Sequence, residues 1–300
     1  MTLPGDGSPV EPLDRLVAPA DSVEETRRRH QSNRDAWNEG AAYYTARVDE
    51  TIAFIRAGQS NLHPLERAML GPLQEWCDTA IHLQCASGRD TLSLWVEGAR
   101  QVVGLDISDV MIENARRTAD ALGAPARWVR CDVLEAPGDL DGTADLVYTG
   151  RGALNWVQDI GGWAAVVARM LKPGGVVSIF DEHPTAWLFR VDTEELEVEP
   201  GVDYFRTAWE TQGWSAEYIG VLDRPAAELA VKYDRMWPLG DIFGALSAAG
   251  LVVEQLGEHA ESYWNAFPRL AEVYRGRIPQ TFTMLARKPR PGGTPGGLRP

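Results

Sequence analysis

The sequence has 300 residues, of which 44% are hydrophobic and 24% are charged, and its formal net charge is −14. This composition is typical of a soluble globular protein. The acidity argues against binding to a nucleic-acid backbone, because phosphate contacts need a basic surface.

Both ends of the chain have the composition of disordered segments, and a helical region follows the first of them. Residues 1–20 and 290–300 are rich in proline and glycine, so we expect them to be disordered. From about Val23 to Arg56 the apolar residues recur at helical spacing, and a second helix is predicted from Pro64 to Trp76. We therefore interpret residues 21–77 as an N-terminal helical lid.

Strands and helices alternate across residues 78–183. Five short runs have the composition of buried strands: "AIHLQ", "QVVGLD", "ARWVRCD", "ADLVYTG" and "VVSIFD". Helical patterns follow three of them, including "SDVMIENARRTADALG" with Ser108 as its N-cap. The alternation predicts an α/β fold in which right-handed crossovers build a mostly parallel sheet.

The alternation stops after residue 183. Residues 184–235 are rich in Glu, Trp and Tyr, and we interpret them as an insert that covers the substrate and folds as an antiparallel ribbon. Residues 236–289 return to the core with one helix, "PLGDIFGALSAAG", and two final strands, "LVVEQLGEH" and "QTFTMLARKP".

Acidic residues end two of the predicted strands. In an open parallel sheet, ligands bind beyond the carboxyl ends of the strands, where the strand order reverses. Asp106 ends the second strand, eighteen residues after Gly88, and its carboxylate can accept both hydroxyl hydrogens of a ribose. Asp132 follows the third strand and can accept from an adenine amino group, with the backbone amide of Val133 beside it.

Five motifs in this order resemble those of class I S-adenosylmethionine-dependent methyltransferases: "HLQCASGRDTLSL", "VVGLDIS", "RCDVLEAP", "ADLVYTG" and "LKPGGVVSI". The chain also resembles a bacterial, largely actinobacterial, small-molecule branch whose first strand often reads His-Leu-Gln-Cys. The resemblance implies a Rossmann-like seven-stranded, mostly parallel sheet with an antiparallel last strand. It also implies S-adenosylmethionine as the cofactor.

The resemblance assigns residues to that cofactor. Ile107 and Met111 would flank the adenine, Thr149 would lie near the sulfonium, and Tyr44 would belong to the lid. The full set of cofactor-binding residues that it implies is Gln84, Ala86, Gly88, Asp106, Ile107, Met111, Asp132, Val133, Thr149 and Tyr44.

The first motif departs from the family pattern, which begins with an acidic residue and contains three glycines. His82 stands in place of the acid, Gln84 in place of the first glycine and Ala86 in place of the second. Alanine can replace glycine where φ is negative. Glutamine can accept a hydrogen bond from the ammonium group of the methionine portion. We interpret His82 as a structural histidine at the end of a strand.

The expected reaction is N- or O-methylation of a small molecule, and the branch likeness points to bacterial secondary metabolism. His183 and Glu182 follow the fifth strand and are the candidate catalytic residues, because a protonated nucleophile needs a base. The candidate substrate-binding residues are Trp37, Asn155, Trp156 and Trp237.

Three alternative functions remain. The altered first loop is compatible with an enzyme that cyclises the aminobutyryl chain of the cofactor and releases methylthioadenosine. A nicotinamide-dependent dehydrogenase would share the start of the fold, but the sequence lacks the G-x-G-x-x-G fingerprint. A non-catalytic binding protein with a degenerate pocket is the third.

The remaining expectations concern metals, compartment and partners. Cys77, Cys85 and Cys131 lack metal-ligand spacing and are odd in number, so we predict neither a metal site nor a disulfide framework. The sequence shows no signal peptide and no long apolar segment, which predicts a cytoplasmic protein that binds no membrane. We expect a small-molecule acceptor as partner, no nucleic acid, and an oligomeric state that the sequence leaves open, a homodimer included.

Overall fold

The computed structural model describes residues 13–220, 222 and 224–292. The helices are α1 (Val23–Thr45), α2 (Val48–Arg56), α3 (Pro64–Leu70), α4 (Arg89–Val96), α5 (Asp109–Leu122), α6 (Ile160–Met170), α7 (Ala216–Ile219) and α8 (Leu239–Ala248). The strands are β1 (Leu13–Val17), β2 (Thr79–Leu83), β3 (Gln101–Asp106), β4 (Ala126–Arg130), β5 (Ala144–Gly150), β6 (Leu171–Glu182), β7 (Ala208–Gln212), β8 (Val231–Arg235), β9 (Val252–His259) and β10 (Thr281–Arg287).

Seven strands form the central sheet, in the order β4-β3-β2-β5-β6-β10-β9. The first five of these pair in parallel, whereas β10 runs antiparallel to both β6 and β9. The predicted Rossmann-like, mostly parallel sheet with an antiparallel last strand is therefore confirmed. The strand order reverses between β2 and β5, which places the ligand-binding edge of such a sheet at their carboxyl ends.

The central strands are apolar because helices cover both faces of the sheet. Alternate residues of β2 point to opposite faces. Ile81 and Leu83 join the core that contains residues of α6 and α8, whereas Ala80 joins a second core with Leu70 of α3 and Leu94 of α4. The sheet is thereby fixed between two apolar layers.

The predicted lid helix from Val23 to Arg56 is divided into α1 and α2. Ser22 caps α1 by accepting a hydrogen bond from the backbone of Glu25. Helix α1 packs against α5 and β8, and so lies over the carboxyl ends of the parallel strands. Helix α3 is shorter than predicted and ends at Leu70, because Gly71 has a φ of 63° and Pro72 follows.

A second, three-stranded antiparallel sheet has the order β1-β7-β8. Its strands β7 and β8 lie in the predicted insert, residues 184–235, and pair as the expected antiparallel ribbon. Strand β1 lies within residues 1–20, so the expectation of disorder is wrong for residues 13–17. The local sequence gave no sign of this strand, because it forms only where the open edge of β7 offers its backbone groups.

Residues 1–12 and 293–300 of the two predicted disordered ends lie outside the described residues. Within the described part of the chain, no helix is both long enough and apolar enough to cross a membrane.

Candidate functional site

A cavity of about 400 Å³ opens at the carboxyl ends of β2, β3, β4 and β5, beneath α1. Its size is in the range of sites for small ligands. The predicted site residues that line it are Trp37, Tyr44, Gln84, Ala86, Asp106, Ile107, Met111, Asp132, Val133 and Trp156. The fold therefore brings ten of the predicted residues together in one place.

The loop between β2 and α4 has the backbone of a glycine-rich turn, although two of its three key residues are not glycine. The φ angle is 57° at Gln84, 46° at Ala86 and 83° at Gly88. The condition of a negative φ at Ala86 is therefore not met. A left-handed conformation costs a residue with a Cβ roughly 1–2 kcal/mol, so surrounding contacts must hold this loop in shape. One of them is the hydrogen bond from the backbone N–H of Ala86 to Asp106 Oδ2, at 2.8 Å.

Gln84 presents a buried acceptor that lacks a partner. Its Nε2 donates to the carbonyl oxygen of Ala153 at 2.6 Å, and this contact fixes which end of the amide is the donor. The opposite atom, Oε1, is buried and has no hydrogen-bond partner among the described residues. Because buried polar atoms are nearly always paired, this oxygen is the place where a ligand donor such as an ammonium group fits.

Two of the residues assigned to the cofactor lie behind the cavity wall. A Cβ on Gly88 would come within 2.4 Å of Trp128, so glycine is needed there for the close packing of α4 against β4. Thr149 is fully buried in β5, and its hydroxyl contacts the carbonyl oxygen of Leu83 at 3.5 Å. Neither lines the cavity, so both shape the site from behind.

Asp106 ends β3 beside this loop. Its Oδ1 accepts from the backbone N–H of Ser108 at 2.8 Å, and its Oδ2 accepts from Ala86. Burial raises the pKa of Asp106 to about 6, although these amide hydrogen bonds act in the opposite direction. Each carboxylate oxygen can accept a further hydrogen bond, so the group suits a vicinal diol.

Asp132 is held by a histidine that the sequence did not reveal. Its Oδ1 accepts from the backbone N–H of Leu134 at 2.9 Å, and its Oδ2 accepts from Nδ1 of His30 at 2.7 Å. The other ring nitrogen, Nε2, accepts from the backbone N–H of Gln158 at 3.0 Å, so His30 is neutral with its proton on Nδ1. Burial raises the pKa of Asp132, but the hydrogen bonds from His30 and Leu134 outweigh it and leave that pKa below its ordinary value.

The turn after β5 forms another part of the wall. A Cβ on Gly150 would lie 2.0 Å from the carbonyl oxygen of Phe180, so only glycine fits there. The buried carboxylate of Asp181 then accepts the backbone N–H groups of Gly152 (2.5 Å) and Leu154 (3.0 Å). Between these anchors Arg151 has a φ of 60° and lines the cavity.

Arg151 forms a buried ion pair across the sheet. Its Nη2 donates to Glu66 Oε2 at 2.7 Å and to the carbonyl oxygen of Asn61 at 2.5 Å. Glu66 is fully buried on α3, and its other oxygen accepts from the hydroxyl group of Tyr148. The acid of this pair lies 85 residues from the arginine, so no local pattern could have identified it.

His82 takes a structural place at the end of β2. Its Nδ1 lies 2.8 Å from the hydroxyl oxygen of Thr91, and its ring packs edge-on against Tyr148 at 4.7 Å between centroids. Burial lowers the pKa of His82 to about 4, so the imidazole is neutral. This arrangement fits the interpretation of His82 as a structural histidine.

Five aromatic side chains line one side of the cavity, and we call them the aromatic wall: Trp37, Tyr43, Tyr44, Trp156 and Tyr218. The ring centroids of Trp37 and Trp156 are 5.2 Å apart in an edge-on arrangement. Trp214 packs behind Trp37 at 4.7 Å. Burial raises the pKa of Tyr44 to about 12, so its hydroxyl stays protonated.

Three predicted residues lie in a second, small cavity of about 30 Å³: Asn155, Glu182 and Trp237. Asn155 donates to Asp234 Oδ1 at 3.1 Å, and the indole nitrogen of Trp237 donates to the carbonyl oxygen of Val157 at 2.9 Å. Gly152 lines both cavities and separates them. The substrate role predicted for Asn155 and Trp237 is therefore not supported by their position.

The two candidate catalytic residues also lie outside the main cavity. Glu182 accepts from the hydroxyl group of Tyr263 (3.0 Å) and the indole of Trp264 (2.7 Å), and burial next to Asp181 raises its pKa to about 7. His183 Nδ1 accepts the backbone N–H of Thr185, and its Nε2 therefore donates to Glu258.

Burial lowers the pKa of His183, so this imidazole is neutral, and it lines neither of the two cavities. Both side chains tie the end of β6 to β9 and to the loop that follows β9. Among the described residues, no group of three or more His, Cys, Asp or Glu side chains is placed to hold a metal ion.

Part of the chain that lines this cavity is similar to a known family. Residues 80–175 match the family model described as a methyltransferase domain. The chain is 29% identical over 179 residues to an uncharacterized methyltransferase of Synechocystis, a match that covers 58% of this chain and 78% of that protein. It is 33% identical over 101 residues to the biotin biosynthesis bifunctional protein BioCD of Bordetella avium, but the match covers 33% of this chain and only 20% of that protein.

The fold also occurs among solved structures. The crystal structure of an S-adenosylmethionine-dependent methyltransferase from Mesorhizobium loti superposes with a TM-score of 0.50 at 24% sequence identity. The superposition covers 75% of this chain and 96% of that one. At this identity the likeness shows a shared fold.

Proposed function

We propose that this chain, an S-adenosylmethionine-dependent methyltransferase, methylates a small molecule at a nitrogen or oxygen atom. The observation that carries the proposal is the buried, unpaired Oε1 of Gln84, which shares one cavity with the carboxylates of Asp106 and Asp132. These three acceptors match the donor groups of the cofactor: an ammonium group, a ribose diol and an adenine amine.

The residues on the cavity wall divide along the length of the cofactor. Asp106 would hold the ribose and Asp132 the adenine amine, with Ile107 and Met111 on the faces of the base. Gln84 would accept from the ammonium group. Val133 would add a backbone amide at the adenine edge.

Arg151 is suited to the methionine portion of the cofactor, at the end opposite to the adenine. Its Nε is buried, makes no hydrogen bond among the described residues and lies 3.8 Å from Asp90 Oδ2. A planar guanidinium binds carboxylates well, so Arg151 would hold the carboxylate of the methionine portion.

When bound, S-adenosylmethionine supplies a methyl group that its sulfonium already activates. The protein therefore needs to orient an acceptor and exclude water. Helix α1 covers the cavity, and the aromatic wall provides apolar surface beside the turn after β5. A cavity of about 400 Å³ supports a small acceptor. The resemblance to a small-molecule branch supports a place in bacterial secondary metabolism. Neither the family match nor the curated relatives favour cyclisation of the cofactor.

The test is mass spectrometry of products formed from isotope-labelled S-adenosylmethionine, first alone and then with small amines and phenols. We expect S-adenosylhomocysteine and a labelled product only when an acceptor is present. Methylthioadenosine formed without an acceptor would contradict methyl transfer. Asp106→Ala serves as the binding-deficient control.

A further inference from the structure

The aromatic wall lines the part of the cavity beside the turn after β5. Trp37 lies at the centre of the aromatic wall, 5.2 Å from Trp156 and 6.1 Å from Tyr218, measured between ring centroids. Trp214 packs behind Trp37 and limits its movement. A ring face attracts a cation electrostatically, and several faces around one position add to the effect.

Cations already lie on rings of this cluster. The guanidinium of Arg47 lies 3.5 Å from the ring centroid of Tyr43, on the aromatic wall itself. Lys232 Nζ lies 4.8 Å from the ring centroid of Trp214, directly behind the wall. The rings of this region thus stabilise positive charge within the protein, and the face of Trp37 can do the same for a ligand.

The two histidines that line the cavity among the described residues, His30 and His82, are both held by protein partners. Both ring nitrogens of His30 are engaged, by Asp132 and by the backbone of Gln158, and neutral His82 is bonded to Thr91. Glu182, in the adjoining small cavity, accepts from Tyr263 and Trp264, and His183 is bonded to Glu258.

The carboxylates on the cavity wall are also engaged or open to solvent. Asp106 and Asp132 are held by backbone N–H groups, and Asp90 accepts from the side chain of Asn61. Glu50 lies exposed on α2. A hydroxyl acceptor needs a base to take its proton, whereas the free-base form of an amine already presents a lone pair.

From these two features we propose that the acceptor atom is an amine nitrogen and that the aromatic wall binds the ammonium product. The proposal rests on the proposed methyl transfer and specifies its substrate class. In this step the carbon–sulfur bond of the cofactor breaks as the nitrogen–carbon bond forms. The broken bond leaves its electron pair on sulfur, so the positive charge moves from sulfur to nitrogen.

The proton balance of this step needs no base. A tertiary amine has no proton to lose and yields a quaternary ammonium ion. A secondary amine keeps its proton on the product nitrogen until the product reaches water. The cavity therefore has to stabilise a cation, which is what ring faces do.

The test compares two probes of the same shape, choline and its uncharged carbon analogue 3,3-dimethyl-1-butanol. Each is titrated by calorimetry into protein saturated with S-adenosylhomocysteine. We expect choline to bind at least about tenfold more tightly, since a partly desolvated cation–π contact contributes about 1–2 kcal/mol. Equal affinity, or no binding of either probe, would overturn the proposal.

A pair of matched variants locates the effect. Trp37→Phe keeps a ring face and should keep the preference for choline, whereas Trp37→Leu should reduce it to about threefold or less. Loss of the preference in both variants, or in neither, would show that the ring of Trp37 does not bind the cation. The wild-type comparison needs no variant, so the test survives a poorly folded mutant.

The titration with S-adenosylhomocysteine separates the two proposals. If this cofactor product fails to bind, the proposed function fails. If it binds and choline shows no preference, the proposed function stands and the amine acceptor is wrong.

Discussion

The two halves of the cavity are built differently. The half that we propose for adenosine, the adenosine half, consists of Asp106, Ile107, Met111, Asp132 and Val133, which lie at or shortly after the carboxyl ends of β3 and β4. The half that we propose for the methionine portion, the methionine half, consists of Gln84, Ala86, Arg151 and the aromatic wall. It combines strained loop residues with partners from distant segments.

This difference shows where the protein departs from a generic cofactor site. Each acid of the adenosine half is oriented by nearby backbone amides, as at Ser108 and Leu134. The methionine half instead depends on the pair of Arg151 with Glu66 and on non-glycine residues in left-handed conformations. We therefore expect adenosine binding to depend on the carboxyl ends of β3 and β4, and binding of the methionine portion to depend on long-range contacts.

The largest expected effect concerns the ion pair behind the methionine half. Arg151→Met leaves Glu66 buried without its cation, and we expect the free energy of unfolding to fall by about 3–5 kcal/mol. Urea denaturation measures this change. The double variant with Glu66→Gln should recover most of the loss, and a single-variant loss below about 1 kcal/mol would contradict the role given to the pair.

The next effect concerns the adenosine half. Asp106→Ala removes the acceptor for the amides of Ala86 and Ser108 as well as the ribose ligand. We expect affinity for S-adenosylhomocysteine to fall about a hundredfold, since each charged hydrogen bond contributes about 1.5–3 kcal/mol. Asp120→Ala, on the exposed face of α5, is the control and should bind normally. If calorimetry shows that the affinity falls by less than about threefold, Asp106 does not bind the cofactor.

His30 connects the lid to the adenosine half. His30→Leu leaves Asp132 and the amide of Gln158 without their partner, so we expect a loss of about 1–3 kcal/mol in unfolding free energy. Affinity for S-adenosylhomocysteine should fall about tenfold, because Asp132 loses its orientation. His30→Gln can keep one of the two hydrogen bonds, so its stability and affinity should lie between those of the wild type and of His30→Leu. Unchanged affinity for S-adenosylhomocysteine in His30→Leu would show that His30 has no role in cofactor binding.

The pH dependence of binding should follow Asp106. Burial raises its pKa to about 6, so the carboxylate that we propose as the ribose acceptor becomes protonated as the pH falls through this value. We expect affinity to fall by up to about tenfold per pH unit below pH 6.

The folding stability contributed by Asp106 changes with pH in the opposite direction to the cofactor affinity. Its pKa is higher in the folded state than in the unfolded state, so protonation favours folding. This contribution is fully present below the ordinary aspartate pKa of 3.8 and is lost as the pH rises through about 6. Calorimetry and denaturation across this range, with Asp106→Asn as reference, should give slopes of opposite sign. Parallel slopes would contradict the assignment.

The smallest effects separate the two substituted glycine positions. Ala86→Gly should raise the free energy of unfolding by about 0.5–1 kcal/mol, because glycine has no left-handed penalty but loses more chain entropy on folding. It should leave cofactor affinity unchanged. Gln84→Gly also relieves strain but removes the buried Oε1, so affinity should fall about fivefold. If both variants bind equally well, Gln84 takes no part in cofactor recognition.

The sheet and the adenosine half could be predicted from the sequence because their signals are local. An apolar run followed by an acid indicates a strand with its ligand, as at Asp106 and Asp132. Ser108 likewise marks the start of α5.

The other features of the site could not be predicted, because they depend on contacts between residues far apart in the sequence. No local pattern distinguishes His30, whose partner Asp132 lies 102 residues away. The position of Glu66 likewise depends on the contact of α3 with Tyr148 of β5. His183 and Glu182 were placed correctly at the end of β6, but the sequence could not show that they turn away from the cavity. The φ of Ala86 is imposed by the turn around it and contradicts the preference of its own side chain.

The most direct test of this account is a calorimetric titration of the wild-type protein with S-adenosylmethionine. We expect one molecule to bind per chain with a dissociation constant between about 1 μM and 1 mM, the usual range for enzyme ligands. Folded protein that gives no binding signal, and no shift of its thermal unfolding temperature with the cofactor, would contradict the central claim.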